Sequence, residues 1–133
     1  MSAVIPVSTP ISQPFWEGLK EEVIRVPRCD ECSHWIFYPR RHCTHCGSLS
    51  LTWREISGRA TLCSYTLARV PTLEEFAADP PQNLAIVTLE EGFNVNSSLV
   101  DIEPGDMRIG MALRPVFAPV GDSGARRLLF TAA

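Results

Sequence analysis

Apolar and polar positions alternate through the second half of the chain, and the alternation predicts strands. Residues 84–89 (Leu-Ala-Ile-Val-Thr-Leu) form the clearest of them, and Glu91-Gly92 makes a tight turn into a second run at 93–100, which together predict a hairpin. Upstream, residues 53–60 lead into a long strand over 61–70, with Gly58 suited to a bend or bulge. Downstream, Glu103 to Asp106 is a turn, residues 111–120 are a strand interrupted by Pro115 and Pro119, and Gly121 to Gly124 turns the chain into a last strand over 126–132. The two prolines lack donors, so the 111–120 strand has an edge-like or bulged section. Between the first two strands, residues 71–83 read as a loop in which Thr72 caps one helical turn over 73–76 before the Pro80-Pro81 break. Five strands with one longer connection after the first predict a small Greek-key barrel, for which the OB-fold is the best fit.

The first half is patterned differently. Residues 1–11 carry Pro6 and Pro10 and read as an extended arm. Ser12 then caps a helix with Pro14 in its first turn, and Phe15, Trp16, Leu19 and Val23 fall at i, i+1, i+4 and i+8 on one stripe. A helix this short, with Gly18 in its middle, does not hold itself together. Its stripe either packs on its own domain or docks a partner protein. Residues 23–27 then form a short strand.

That strand leads into Cys29-Asp-Glu-Cys32 and, after the ten residues 33–42, Cys43-Thr-His-Cys46. Paired thiolates at this spacing satisfy tetrahedral zinc, each pair forming a knuckle followed by a turn residue, Ser33 or Gly47. The doubled spacing favours structural zinc over two disulfides, a thioredoxin-like redox pair or an iron–sulfur site, and residues 33–42 are expected to form a hairpin that brings the knuckles together. His34, His42 and His45 lie in the same stretch, as surface or outer-shell groups beside four thiolates. A four-thiolate site is closed, which predicts scaffolding rather than metal catalysis. Between the knuckles, Trp35 and Phe37 are expected to cover the small core. Tyr38, Arg40 and Arg41 complete an aromatic run ending in two cations, which are either solvated or set to meet a phosphate.

The fold class is therefore mainly β, with the arm and helix at 1–24, a rubredoxin-like zinc ribbon at 25–52 and the five-stranded barrel at 53–133. Across the 133 residues, 45% are hydrophobic and 20% charged, with a formal net charge of −3. This describes a globular chain without the basic surface that coats nucleic acid. The N-terminus has neither a basic start nor an apolar run, and no apolar stretch approaches a membrane span of about 20 residues. Thiolate chemistry then points to the cytoplasm. Cys63, in an apolar strand pattern, is expected to be a buried small hydrophobe. No histidine lies in the barrel region, and neither a Gly-rich phosphate loop nor a Gly-x-Ser-x-Gly elbow is present. Independent catalysis is not indicated.

The order of motifs is distinctive. A Phe-Trp helix precedes Arg28-Cys29-x-x-Cys32, Tyr38-Pro39-Arg40, Cys43-x-x-Cys46-Gly47-Ser48, Trp53 and Ser57-Gly58, and Gly92, Leu99-Val100-Asp101, Ile109-Gly110-Met111 and Phe130 follow. From about Pro14 to Ala132 the chain resembles the rubredoxin-like zinc-ribbon plus OB-fold proteins once called "domain of unknown function 35". It departs from them at Tyr38-Pro39-Arg40, where the family often has Pro-Pro-Arg, and at Gly58-Arg59-Ala60, where Gly-x-Gly is common.

The resemblance implies a non-catalytic partner of a thiolase-fold enzyme: a thiolase, an acyltransferase or an aldolase that shortens steroid side chains as CoA thioesters, with a MaoC-type hydratase as a further associate. It places the chain in steroid or lipid metabolism as part of a hetero-oligomer, with a share in the partner's acyl-CoA channel. Phe15, Trp16 and Leu19 would dock the partner, and Arg40, Arg41, Trp35 and Tyr38 would meet CoA or the interface. Two other classes compete. A nucleic-acid-binding barrel would need a basic groove, whereas residues 84–100 carry Glu90 and Glu91 and no Lys or Arg. A stand-alone acyl-CoA-binding protein would bind CoA saturably without a partner.

Overall fold

The computed structural model describes residues 6–70 and 82–133. The predicted helical turn at 73–76, the Pro80-Pro81 break and residues 1–5 of the N-terminal arm lie outside the described residues. The elements are α1 (Gln13–Lys20), β1 (Ile24–Cys29), β2 (Leu51–Ile56), β3 (Ala60–Ala68), β4 (Gln82–Leu89), β5 (Asn94–Leu99), β6 (Ala112–Pro119) and β7 (Arg126–Ala132). They belong to two compact units, one over Val7–Ser57 and one over Gly58–Ala133. Among the described residues no helix is long and apolar enough to cross a membrane.

In the first unit, α1 buries Phe15 and Leu19, and β1 buries Ile24 and Val26. Ser12 precedes the helix but makes no side-chain cap. Its own backbone is helical (φ −93°, ψ −7°), so the hydroxyl turns back and accepts the N–H of Thr9 at 3.0 Å. At the other end, the Val23 N–H returns to the Gly18 carbonyl at 2.9 Å while Glu22 takes φ 61°. This is a Schellman-type stop with a non-glycine residue in the left-handed position. A Cβ at Gly18 would meet the Val23 carbonyl oxygen at 3.0 Å, so glycine is what lets the chain double back so tightly into β1.

β1 and β2 pair antiparallel from Ile24↔Ile56 to Cys29↔Leu51. Leu51–Ile56, which the sequence reading divides between ribbon and barrel, is thus the partner of the strand that enters the first knuckle. The expected hairpin over 33–42 does not form. That segment folds back on β1 instead, through the Arg28↔Trp35 bridge, Cys29 N–H to the His34 carbonyl (2.9 Å) and Ile36 N–H to the Pro27 carbonyl (3.0 Å). Ile36 is the buried residue of this segment, and Trp35 and Phe37 are half-buried on either side of it.

The second unit is a closed barrel in the order β3-β4-β5-β7-β6. Alternate residues point inward, so Ala60, Leu62, Ala85, Val87, Leu89, Val95, Leu99, Leu113 and Phe130 form its core. β4 and β5 form the expected hairpin, with Gly92 at φ 102° in the turn and the Leu89 N–H bonded to the Phe93 carbonyl at 2.8 Å. The barrel closes where β5 and β7 run parallel at Leu99↔Phe130. β3 pairs with β6 only at Ala112 and Leu113. From Pro115 on, β6 has no described neighbour on that side, so its prolines leave no ladder there short of donors. The register of β3 against β4 slips between Leu62 and Ser64. The extra residue of this bulge is Cys63, which is exposed rather than buried.

Candidate metal centre

The four knuckle cysteines converge, all four sulfurs lying within 4.8 Å of one another. Cys29 closes β1, so the strand pairing fixes its position. Its carbonyl accepts the Ser33 N–H at 3.0 Å, and its sulfur accepts the Cys32 N–H at 3.5 Å. The second knuckle repeats the pattern. The Cys43 carbonyl accepts the Gly47 N–H at 3.0 Å, and the Cys43 sulfur accepts the N–H groups of His45 (3.3 Å) and Cys46 (3.4 Å). The residue after each knuckle is left-handed, Ser33 at φ 65° and Gly47 at φ 80°.

Sulfurs face each other across the knuckles, Cys29 to Cys46 at 3.6 Å and Cys32 to Cys43 at 3.5 Å. A disulfide needs about 2.05 Å, and all four cysteines are free. A tetrahedron of thiolates at about 2.3 Å from zinc spaces its sulfurs about 3.8 Å apart, close to what the knuckles provide. Cys29, Cys43 and Ile36 form a small buried core, covered by Cys32 and Leu51. The donor set therefore fits a soft, tetrahedral metal ion and leaves no coordination position open.

The electrostatics of the metal-free chain sort the sulfurs into one low and one high member per facing pair. The backbone N–H of Cys32 draws the Cys29 thiol below its ordinary range. Burial opposes ionisation of Cys43, yet the backbone N–H groups of Cys46 and His45, with the facing sulfurs, draw it down to about 6. At Cys32 the His34 N–H pulls downward, but burial and the neighbouring sulfurs win and push it up to about 12. At Cys46 the Ser48 N–H likewise pulls downward and is outweighed by the Cys29 sulfur and by burial, so that thiol rises. Metal binding takes all four as thiolates and so displaces protons, above all from the raised thiols of Cys32 and Cys46. His34 and His45 stack outside this centre at 5.3 Å between ring centroids, and His42 is exposed.

The remaining sequence-derived candidates separate into two groups. Phe15, Trp16, Phe37 and Tyr38 meet, with Phe15 edge-on to Trp16 at 5.1 Å, to Phe37 at 5.6 Å and to Tyr38 at 6.0 Å. The Trp16 Nε1–H donates to the Tyr38 hydroxyl at 2.7 Å. Phe15 is 3% exposed and Leu19 0%, whereas Tyr38 is 43% exposed. Of the proposed docking trio, only Trp16 reaches the surface. Trp35 lies beneath the guanidinium of Arg28 at 5.0 Å. Arg28 also donates Nε–H to the Ser33 carbonyl at 3.0 Å, tying the first knuckle to β1. The sequence gives Arg28 no role beyond its place in the Arg28-Cys29 motif, and that place directly before Cys29 is the signal for it. Arg40 and Arg41 are exposed and make no ion pair among the described residues.

Two adjoining family descriptions match the chain: "ChsH2, rubredoxin-like zinc ribbon domain" over residues 16–52 and "ChsH2, C-terminal OB-fold domain" over 53–118. A protein of Methanothermobacter thermautotrophicus described as a DUF35 domain-containing scaffold protein is 35% identical over 98 residues, 73% of either chain. The chain belongs to the DUF35 family. A solved chain of the "Ltp2-ChsH2(DUF35) aldolase" superposes on this DUF35 protein with a TM-score of 0.82 at 26% identity, covering 96% of this chain and 98% of that one. A probable enoyl-CoA hydratase alpha subunit of Thermomonospora curvata is 34% identical over 98 residues, which are 30% of its own length. The fold expected from the sequence, a short helix, a four-cysteine ribbon and a five-stranded barrel, is the fold observed.

Proposed function

We propose that this DUF35 protein is a non-catalytic auxiliary subunit of a thiolase-fold enzyme acting on acyl-CoA. The observation that carries the reading is the near-complete superposition on a chain of the Ltp2-ChsH2(DUF35) aldolase. The scaffold description of the relatives and the hydratase-subunit description of another agree with it. The ion held by Cys29, Cys32, Cys43 and Cys46 is zinc, whose preferred geometry the sulfur spacing matches. When bound, it supplies folding free energy to a unit whose own core is small.

On this reading the chain's residues position a partner rather than react. Trp16 and Tyr38 present the docking face, Phe15 and Leu19 hold that face from beneath, and the exposed Arg40 and Arg41 meet a CoA phosphate or an acidic strip of the partner. The barrel, within residues 58–133, shapes the acyl-CoA entrance, and the complex works in the cytoplasm on lipid or steroid side chains. Co-purification of the tagged chain with its cognate thiolase-fold enzyme tests this, with acyl-CoA turnover assayed in both the presence and the absence of the chain. A stable complex with dependent turnover is expected. An enzyme equally active alone would overturn the proposal.

A further inference from the structure

The aromatic face and the four-cysteine centre share one piece of chain. Ile36 is anchored in the small core beside Cys29 and Cys43, and its N–H is bonded to the Pro27 carbonyl. Cys43 is anchored by the Ser48 carbonyl and by its place in the sulfur cluster. Between these anchors, residues 38–42 make no backbone hydrogen bond among the described residues. What positions Tyr38 is therefore the two ends, burial of Pro39, ring contacts with Phe15, Trp16 and Phe37, and the Trp16 Nε1–H at 2.7 Å. Trp16 in turn sits on a helix of eight residues, too short to be stable by itself. Its aromatic contacts are with Phe15 and with Tyr38 on this same span.

We infer that metal loading of the cysteine centre assembles the Trp16–Tyr38 pair, so that metal occupancy switches the exposed aromatic face on and off. Without metal, one end of the 37–42 span is released. Tyr38 then loses the position from which it accepts the Trp16 proton. The half-buried Cys32 and the exposed Cys46 leave two of the four sulfurs within reach of chelators and oxidants, so the switch is open to metal competition from solution. Coupling of this kind is reciprocal: whatever the metal contributes to the pair, the pair contributes to metal affinity. The functional meaning of the switch rests on the docking reading above, but the coupling itself does not.

The test uses the full chain, Zn²⁺ as the metal, and the Trp16 indole N–H resonance, assigned with Trp16→Phe. Stripping the metal with a chelator is expected to shift that resonance and abolish its exchange protection. Amides of β4 should remain protected, and returning Zn²⁺ should restore the original signal. Because ribbon unfolding alone could mimic this result, the second arm stays on the folded, loaded chain. Tyr38→Phe removes one hydrogen bond and is expected to weaken Zn²⁺ binding about fivefold. An indole signal unchanged without metal, or a Tyr38→Phe affinity within about twofold of the parent, overturns the inference. A loaded Trp16→Ala chain that still captures the partner would defeat the docking reading while leaving the coupling intact.

Discussion

The sulfur of Cys29, at the end of a paired strand, lies 3.6 Å from that of Cys46 on the second knuckle. One ligand is held by a sheet and the other only by its own turn, so the sheet supplies the fixed side of the centre. The knuckle at residues 43–46 is the adjustable side.

Cys43→Ser removes the buried sulfur that accepts two backbone N–H groups and faces Cys32. Zinc content measured by metal analysis is expected to fall from a single equivalent to near zero, with partner capture lost alongside it. Zinc loss with capture and partner turnover unchanged would show that the metal has no scaffold role.

Metal uptake should release protons and weaken in acid. Near neutral pH the Cys43 thiol, drawn from 9.0 to about 6, is already ionised, whereas Cys32, pushed to about 12, still carries a proton that the metal must displace. In the metal-free chain, the depressed Cys43 contributes stability above its unfolded value, and that contribution is lost as pH falls through about 6. Cys32 has the opposite sign, its contribution being present below the unfolded value and lost as pH rises toward about 12. Calorimetric titration in buffers of different ionisation enthalpy should show proton release near pH 7 and a weaker zinc affinity as the pH approaches about 6.

Gly47→Ala should destabilise the loaded chain by about 1–2 kcal/mol. A Cβ there meets nothing within 4 Å, so the cost is that of φ 80° rather than of a clash. Ser33→Gly has the opposite sign, a gain of up to about 1 kcal/mol, because both bonds at Ser33 are made by its backbone and survive the change. Thermal denaturation of the two variants checks the pair.

Leu19→Ala empties a fully buried site and should cost about 2–5 kcal/mol of stability. Trp16→Ala, at a half-exposed position, should instead weaken partner capture with a smaller effect on stability. Equal losses of stability in the two variants would place both residues in the core and remove Trp16 from the docking face.

The parts of this architecture legible in the sequence are those carried by short-range chemistry. The paired cysteines announce their own geometry, and the alternation at residues 84–100 fixes a hairpin because one face of it must be buried. The errors arise where position depends on a neighbour distant in sequence. Cys63 lies in an apolar run, but the alternation set by the inward Ala60 and Leu62 places it on the outer face of β3, at the bulge against β4. Ser12 has the residue type of a cap, but Thr9 claims its hydroxyl. Phe15 and Leu19 share a stripe with Trp16, and only packing against β1 and residues 37–38 decides which of the three is left at the surface. The role of Arg28 is not legible in the sequence, because its aromatic partner, Trp35, faces it only after the first knuckle has turned.

The most direct test of the central claim is acyl-CoA turnover by the cognate thiolase-fold enzyme, purified with and without this chain. The account predicts a stable complex and a large fall in turnover when the chain is absent, restored by zinc-loaded chain but not by Cys43→Ser. Full turnover by the isolated enzyme, with no complex formed, would contradict it and leave the likeness to scaffold proteins as one of fold.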